Sequence, residues 1–312
     1  MMLLSEFGLV PDVFDAASYS SEELADVHLQ RLKEVLIDEG IVRNLRDGEW
    51  MREFGSGSRA WHQRGKELLK KLGTQNRLRS SPPSLPETPA DDRGWCNEAL
   101  GSHKALPLRG IVSTAATCAH FPKEPAVAPI TKLSSAPWWT NRSPSVRLQR
   151  TLAAYRQHLD LVLTCANSIM LIDAHLDPSQ QRYASVTPML CSMASRASKP
   201  LIEIHRVCYV GSGPQRQLIS PTDWQSRFQG AMATDLSGAG LEVEVFIWDD
   251  FHDRYVITDL IGIGLQNGLD TTADANAVTT WNRLGRPERD DIQREFDPAS
   301  NRHSLRGRFK VP

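Results

Sequence analysis

The rhythm of apolar positions divides the chain. Residues 1–143 carry helical spacing in places and irregular text elsewhere, whereas from about 145 onward short apolar runs alternate with helix-length amphipathic stretches. Near the start, Ser20-Ser21-Glu22-Glu23 has the form of a capping box, and Leu24, Val27, Leu32, Val35 and Leu36 follow at roughly helical spacing. A second helix is predicted from Arg59 to Leu72, with Trp61, Leu68, Leu69 and Leu72 on its apolar face. Residues 73–94 place Pro82, Pro83, Pro86 and Pro89 among Ser and Asp, which neither a helix interior nor a central strand tolerates. Residues 95–143 combine Trp95, Trp138 and Trp139 with several prolines and the short apolar run Leu108–Ser113, which predicts a compact, irregular piece with a little strand. The expected layout is thus a helical module over 1–72, a Pro/Ser-rich linker or loop over 73–94 and an irregular segment over 95–143.

The remainder reads as regular α/β. A helix is predicted over 145–166, with Leu148, Leu152, Leu159 and Val162 on one face, then a strand over 169–173 and a helix around 180–195. Strands follow over 201–210 and 241–248, separated by a Gly211-Ser212-Gly213-Pro214 turn and a helix near 222–234. Further strands fall at 251–259, 261–265 and 277–281. Strands alternating with helices, then strands in succession, predict one α/β domain over 145–312, a mixed sheet covered by helices.

Within it, His252-Asp253-Arg254-Tyr255-Val256-Ile257-Thr258-Asp259 reads H-x-R-x4-D, and Asn267 stands eight residues on, in Gly264-Leu265-Gln266-Asn267. A strand presents alternate side chains on one face, so His252 and Arg254 point together. A histidine can attack phosphorus as a covalent nucleophile, a guanidinium can grip non-bridging oxygens in a bidentate fork, and an aspartate can orient an imidazole. A second copy of the pattern, His62-Gln63-Arg64, falls in a helical stretch with Leu69 in place of the acid. The stretch at 252 resembles the H-x-K-x4-D signature of the phospholipase D superfamily, with arginine for lysine. Its F-H-D-R start is also similar to the phospholipase D-like C-terminal domain of MIT-domain proteins, known for binding membranes and partners. Upstream, Ser168–Asp173 followed by Ala174-His175-Leu176-Asp177 is similar to the first strand and polar turn of such domains.

The resemblance implies a phospholipase D-like fold in the C-terminal half and a metal-independent phosphodiesterase, foremost a nuclease of a bacterial defence system, working through a His252 phosphohistidine. Arg254, Asn267 and His175 would bind phosphate, with Asp259 in support. Hydrolysis of this kind needs two histidines on one phosphate. One motif per chain therefore points to a two-fold homodimer through the His252 face, to His175 as the second histidine, or to an inert site. The alternative is a catalytically inactive module that binds phosphate or nucleic acid and interacts with proteins in a larger complex. In it residues 1–143 would dock a protein partner. His205 within its strand reads as core or surface, and His303 lies in a basic tail with Arg302, Arg306, Arg308 and Lys310. Arg142, Arg147, Arg150 and Arg156 form a second basic patch.

Composition narrows the choice only slightly. Forty per cent apolar and 23% charged residues are those of an ordinary soluble globular chain. A net charge of −1 leaves any nucleic-acid partner to local patches. No run approaches the roughly 20 apolar residues of a membrane span. Five cysteines without a C-x-x-C pair read as reduced thiols of a cytoplasmic protein. Cys96, His103, Cys118 and His120 match no zinc-finger spacing, and no metal or cofactor is expected. Gly211-Ser212-Gly213 lacks the lysine and spacing of a P-loop.

Overall fold

The computed structural model describes residues 3–55, 57, 59–211 and 213–312, and the chain divides into two compact units, 1–143 and 144–312.

The first unit contains β1 (Ser5–Leu9), α1 (Glu22–Glu39), β2 (Gly40–Asn44), α2 (Leu45–Glu53), α3 (Gln63–Thr74), β3 (Leu78–Ser80), α4 (Asp92–Ala105), β4 (Gly110–Ser113), α5 (Ala115–Cys118), β5 (Val127–Pro129) and α6 (Pro137–Thr140). The two predicted helices are present. Ser21 caps α1 by accepting from the Leu24 N–H, and Leu29, Leu32 and Leu36 are buried, while Leu24 and Val27 face solvent. Between and beyond the helices run five strands, of which the apolar spacing announced only β4, within the run Leu108–Ser113. All five join one parallel sheet in the order β3-β2-β1-β4-β5. The expected linker at 73–94 contributes β3 and the start of α4. The segment 95–143 supplies α4, β4 and β5, so these pieces are parts of one α/β unit. Its core is continuous, running from Phe7, Leu9 and Phe14 through Trp50 and Leu68 to Trp95, Ile111 and Trp139.

The second unit contains β6 (Ser145–Gln149), α7 (Leu152–Cys165), β7 (Ser168–Asp173), α8 (Val186–Cys191), β8 (Leu201–Val207), β9 (Tyr209–Val210), β10 (Gln217–Leu218), α9 (Pro221–Gly238), β11 (Val243–Trp248), β12 (Arg254–Thr258), β13 (Gly262–Leu265), β14 (Val278–Arg283), α10 (Arg286–Glu295) and β15 (Leu305–Val311). Eight strands form a mixed sheet in the order β15-β11-β8-β7-β12-β13-β14-β6, flanked by helices. The strands expected at 169–173, 201–210, 241–248 and 251–259 share it as β7, β8, β11 and β12, except that Tyr209–Val210 leave the sheet to pair with β10. The single helix expected over 145–166 is instead a strand, a Thr151 N-cap and a shorter helix. Val146 and Leu148 alternate inward with exposed Arg147 and Gln149, the two-residue period of an edge strand. Met170, Ile172, Phe246, Trp248, Phe251, Ile257 and Phe296 form the core against one face of the sheet.

The basic tail is ordered as β15, antiparallel to β11. Most of its cations are already engaged. Arg308 pairs with Glu244, Lys310 with Glu242 at 2.6 Å, Arg302 with Asp291 at 3.0 Å and His303 with Glu295 at 2.8 Å. In the other patch Arg142 pairs with Glu39, Arg150 with Asp270 and Arg156 with Asp160. In both runs most of the positive charge that the sequence suggested is paired with an acid among the described residues, Arg147 and Arg306 excepted. Among the described residues, no helix is long and apolar enough to cross a membrane.

Candidate anion site at the carboxyl ends of three strands

β7, β8 and β11 run parallel, so their carboxyl ends lie side by side. β12 runs antiparallel to β7 and begins at that same edge, with Arg254 opposite Asp173. Ligands of open sheets gather outside the carboxyl ends of parallel strands. Here the chain leaves that edge as Ala174–Asp177 after β7, Tyr209 after β8 and 249–253 between β11 and β12.

Asp173, the last residue of β7, is fully buried. Its Oδ1 accepts from the His175 N–H at 3.0 Å and faces Arg254 Nε at 3.7 Å. Its Oδ2 accepts from the Tyr183 hydroxyl and the Leu269 N–H, both at 3.3 Å. Burial raises its pKa, against the opposing pull of the His175 N–H, the Arg254 charge and the Leu269 N–H. The turn that delivers Leu269 depends on Gly268, at φ +73°, where a Cβ would stand 2.1 Å from Asp173 Oδ2 and 3.1 Å from Arg254 Cδ. Only glycine allows the loop after β13 to approach so closely.

Cationic side chains act on the neighbouring His175. The His175 imidazole has its pKa lowered, first by burial and then by Arg254, Arg182, Arg206 and His252. Arg206 is fully buried, donates to the carbonyls of Val207, Leu176 and Tyr209 at 2.6, 3.1 and 2.6 Å, and lies 3.2 Å from the Trp224 ring centroid. Burial lowers its pKa to about 9, opposed by the charges of Asp177 and Asp173. Asp177 is engaged elsewhere, by Ser179, Gln180 and Arg227.

Of the residues singled out from the sequence, the structure brings Arg254, His175 and His252 together, and places Asn267 beside Gly268 in the adjoining turn. His252 is exposed and lies in the connection before β12. Asp259 is at the other end. Its Oδ1 accepts from the Asn167 and Ser168 N–H groups at the start of β7, about 17 Å from Arg254 at strand rise. It ties two strand ends together and cannot orient the His252 ring. Asp250 is near enough to feel His252, but Arg216 holds both its oxygens, at 2.8 and 3.2 Å. Among the described residues, His252 forms no hydrogen bond or ion pair. His205 is buried in the core, stacked on Phe246 and accepting from Trp248 Nε1 at 3.1 Å. His62 caps α3 by accepting from the Arg64 N–H. Gly211 and Gly213 have positive φ in the turn between β9 and β10, and Ser212 falls outside the described residues.

The sequence reading missed Asp173, Gly268, Arg182 and Arg206. The Asn267-Gly268 dipeptide was a turn signal, and the strand ending in Asp173 was visible. That the two meet, 96 positions apart, was not.

No family model matches the chain, and no curated protein matches it. Among solved structures, TrmBL2, described as an archaeal chromatin protein with a novel mode of DNA binding, matches at 12% identity over 77% of this chain and 81% of its own. The TM-score of 0.30 leaves the fold and function of this chain to its own residues.

The reading of a nuclease or other phosphodiesterase working through a His252 phosphohistidine is overturned. No family model matches, and among the described residues no carboxylate orients the imidazole as an activated nucleophile or base requires. Arg254 cannot lend a proton near neutrality. Among the described residues, no group of three or more His, Cys, Asp or Glu is placed to share a metal ion, and Cys96, His103, Cys118 and His120 form no such set.

Proposed function

We propose that the unit 144–312 is a non-catalytic module of phospholipase D-like architecture that holds a phosphate of nucleic acid at the carboxyl ends of β7, β8 and β11. One observation carries the reading. Arg254, partly exposed where β12 begins, faces the buried Asp173 carboxylate at 3.7 Å, and its charge, with those of Arg182 and Arg206, bears on the neighbouring His175 imidazole. Guanidinium groups gathered at a strand-end crevice favour an anion. Arg254 offers the forked donor set that suits a phosphate, and Asp173 fixes its stem so that little freedom is lost on binding. The half-buried His175 adds a donor that becomes charged when an anion arrives.

This reading needs one motif per chain and no second histidine across a two-fold axis, so self-association is not a condition of it. Residues 1–143 would serve as the part that docks a protein partner in a larger complex.

The test is a titration with inorganic sulfate and phosphate, followed through the ring resonances of His175 and His252. Wild type should show saturable shifts at both rings, and Arg254→Gln should weaken binding at least tenfold with the fold intact by far-UV circular dichroism. Unchanged affinity in Arg254→Gln would reject the site.

A further inference from the structure

The hairpin β9–β10 lies beside this site, and nothing assigned so far uses it. Its two strands pair Tyr209 with Leu218 and Val210 with Gln217. Directly opposed residues share a face of an antiparallel pair, and residues two apart on one strand share it too. Tyr209, Leu218 and Arg216 therefore stand on one face. The Arg216 guanidinium lies 5.3 Å from the Tyr209 ring centroid, and Leu218 is 69% exposed, among the most exposed large apolar residues described. Arg216 also pairs with Asp250, the acid next to Phe251 and His252, and the Tyr209 carbonyl accepts from Arg206. The hairpin is thereby fastened to the rim of the anion site on both sides.

We propose that this face is a stacking platform for an unpaired nucleobase, which makes single-stranded nucleic acid the ligand of the site. This rests on the phosphate-binding reading above and adds a ligand class to it. An aromatic ring, a guanidinium plane and an exposed aliphatic side chain next to a fixed phosphate contact are the elements that hold single strands without reading sequence. In a duplex the bases are stacked on one another and offer no free face to Tyr209, so the platform can act only on an unpaired strand. The charge arrangement agrees. Asp250 neutralises Arg216, so the hairpin contributes a flat polarisable surface, and the phosphate charge is met by Arg254 instead.

The experiment uses the full chain, with a fluorescent oligothymidylate of about 12 nucleotides and a duplex of equal length, at fixed low salt. Variants are Tyr209→Leu, which keeps apolar bulk against the core and removes the π face, and Leu218→Ser, which changes an exposed position. Wild type should bind the single strand at least tenfold more tightly than the duplex. Tyr209→Leu should lose about fivefold or more for the single strand, the low end for one base–aromatic stack, and Leu218→Ser should weaken it to a smaller, measurable extent, with sulfate affinity unchanged in both. Equal binding of duplex and single strand overturns the platform, as does a single-strand affinity indifferent to both variants. In either case sulfate shifts at His175 would leave the anion site standing. Loss of sulfate binding together with both nucleic acids would overturn the two readings at once.

Discussion

Gly268→Ala tests whether the loop after β13 closes on Asp173 as tightly as described. Two independent costs apply. At φ +73° a side chain enters the left-handed region, which costs about 1–2 kcal/mol for an L residue. The new Cβ would also sit 2.1 Å from Asp173 Oδ2. Asp173 is not a loose side-chain end, since it is fully buried, accepts from the His175 N–H and the Tyr183 hydroxyl, and faces Arg254. Overpacking of this kind costs about 1–3 kcal/mol. The unit should therefore lose about 2–5 kcal/mol, the sum of the two. If the loop retreats to avoid the clash, the Leu269 N–H leaves Asp173. The carboxylate then loses one of the bonds that oppose its raised pKa, and its hold on Arg254 weakens. Sulfate affinity should fall with stability.

Gly230→Ala is the matched control. It lies within α9 with nothing within 4 Å of the added methyl, so it should be neutral or stabilise by up to about 1 kcal/mol. Guanidinium denaturation read by tryptophan fluorescence and far-UV circular dichroism gives both values, and the sulfate titration gives the second readout. A Gly268→Ala protein within about 0.5 kcal/mol of wild type, with unchanged sulfate binding, would refute the contact between this loop and Asp173.

Sulfate affinity should rise as pH falls. His175 is held below the ordinary imidazole range by burial and neighbouring cations, and a bound anion raises its pKa. Between those two values binding takes up a proton, with affinity changing by up to tenfold per pH unit. Sulfate does not titrate there, so calorimetry across pH 5–8 that shows no dependence, or one unchanged in His175→Ala, would contradict the account. In the first unit, Glu98 is fully buried, pairs with Arg46 at 3.3 Å and accepts from the Ser84 and Leu85 N–H groups. Glu98→Ala should therefore destabilise that unit by about 3–5 kcal/mol, as loss of one member of a buried pair does, and a chemical melt within 1 kcal/mol of wild type would count against this network. Arg308→Ala with Lys310→Ala should change nucleic-acid affinity less than twofold, because both cations are paired along β11 and β15. A tenfold loss in a binding titration would restore the tail as a contact surface.

What the sequence disclosed and what it hid follow from the range of the interactions. Tyr255-Val256-Ile257-Thr258 declares a strand by its own β-branched residues, and the Gly-rich turn and helix before β11 are equally local signals, so the central strands of the second sheet were legible. β15 was written with the same two-residue period, Leu305, Gly307, Phe309 and Val311 against Arg306, Arg308 and Lys310. It read as a charged tail because Glu242 and Glu244, which neutralise it, lie more than 60 positions upstream. The strands of the first unit are three to five residues long and paired in parallel, so each finds its partners only across a connecting helix. A three-residue run such as Leu78–Ser80 carries no periodicity of its own. The site divides in the same way. His252 and Arg254 were found because the chemistry of phosphate needs those side chains at that spacing. Asp173 was not, because its part is to accept from a hydroxyl and two N–H groups and to hold Arg254, and those partners are gathered only by the folded sheet. Asp259 shows the converse: a motif can place an acid at the right spacing, and the extension of one strand then carries it to the opposite end of the domain. Spacing along a strand therefore identifies candidate groups, while the direction of the neighbouring strand decides which of them meet.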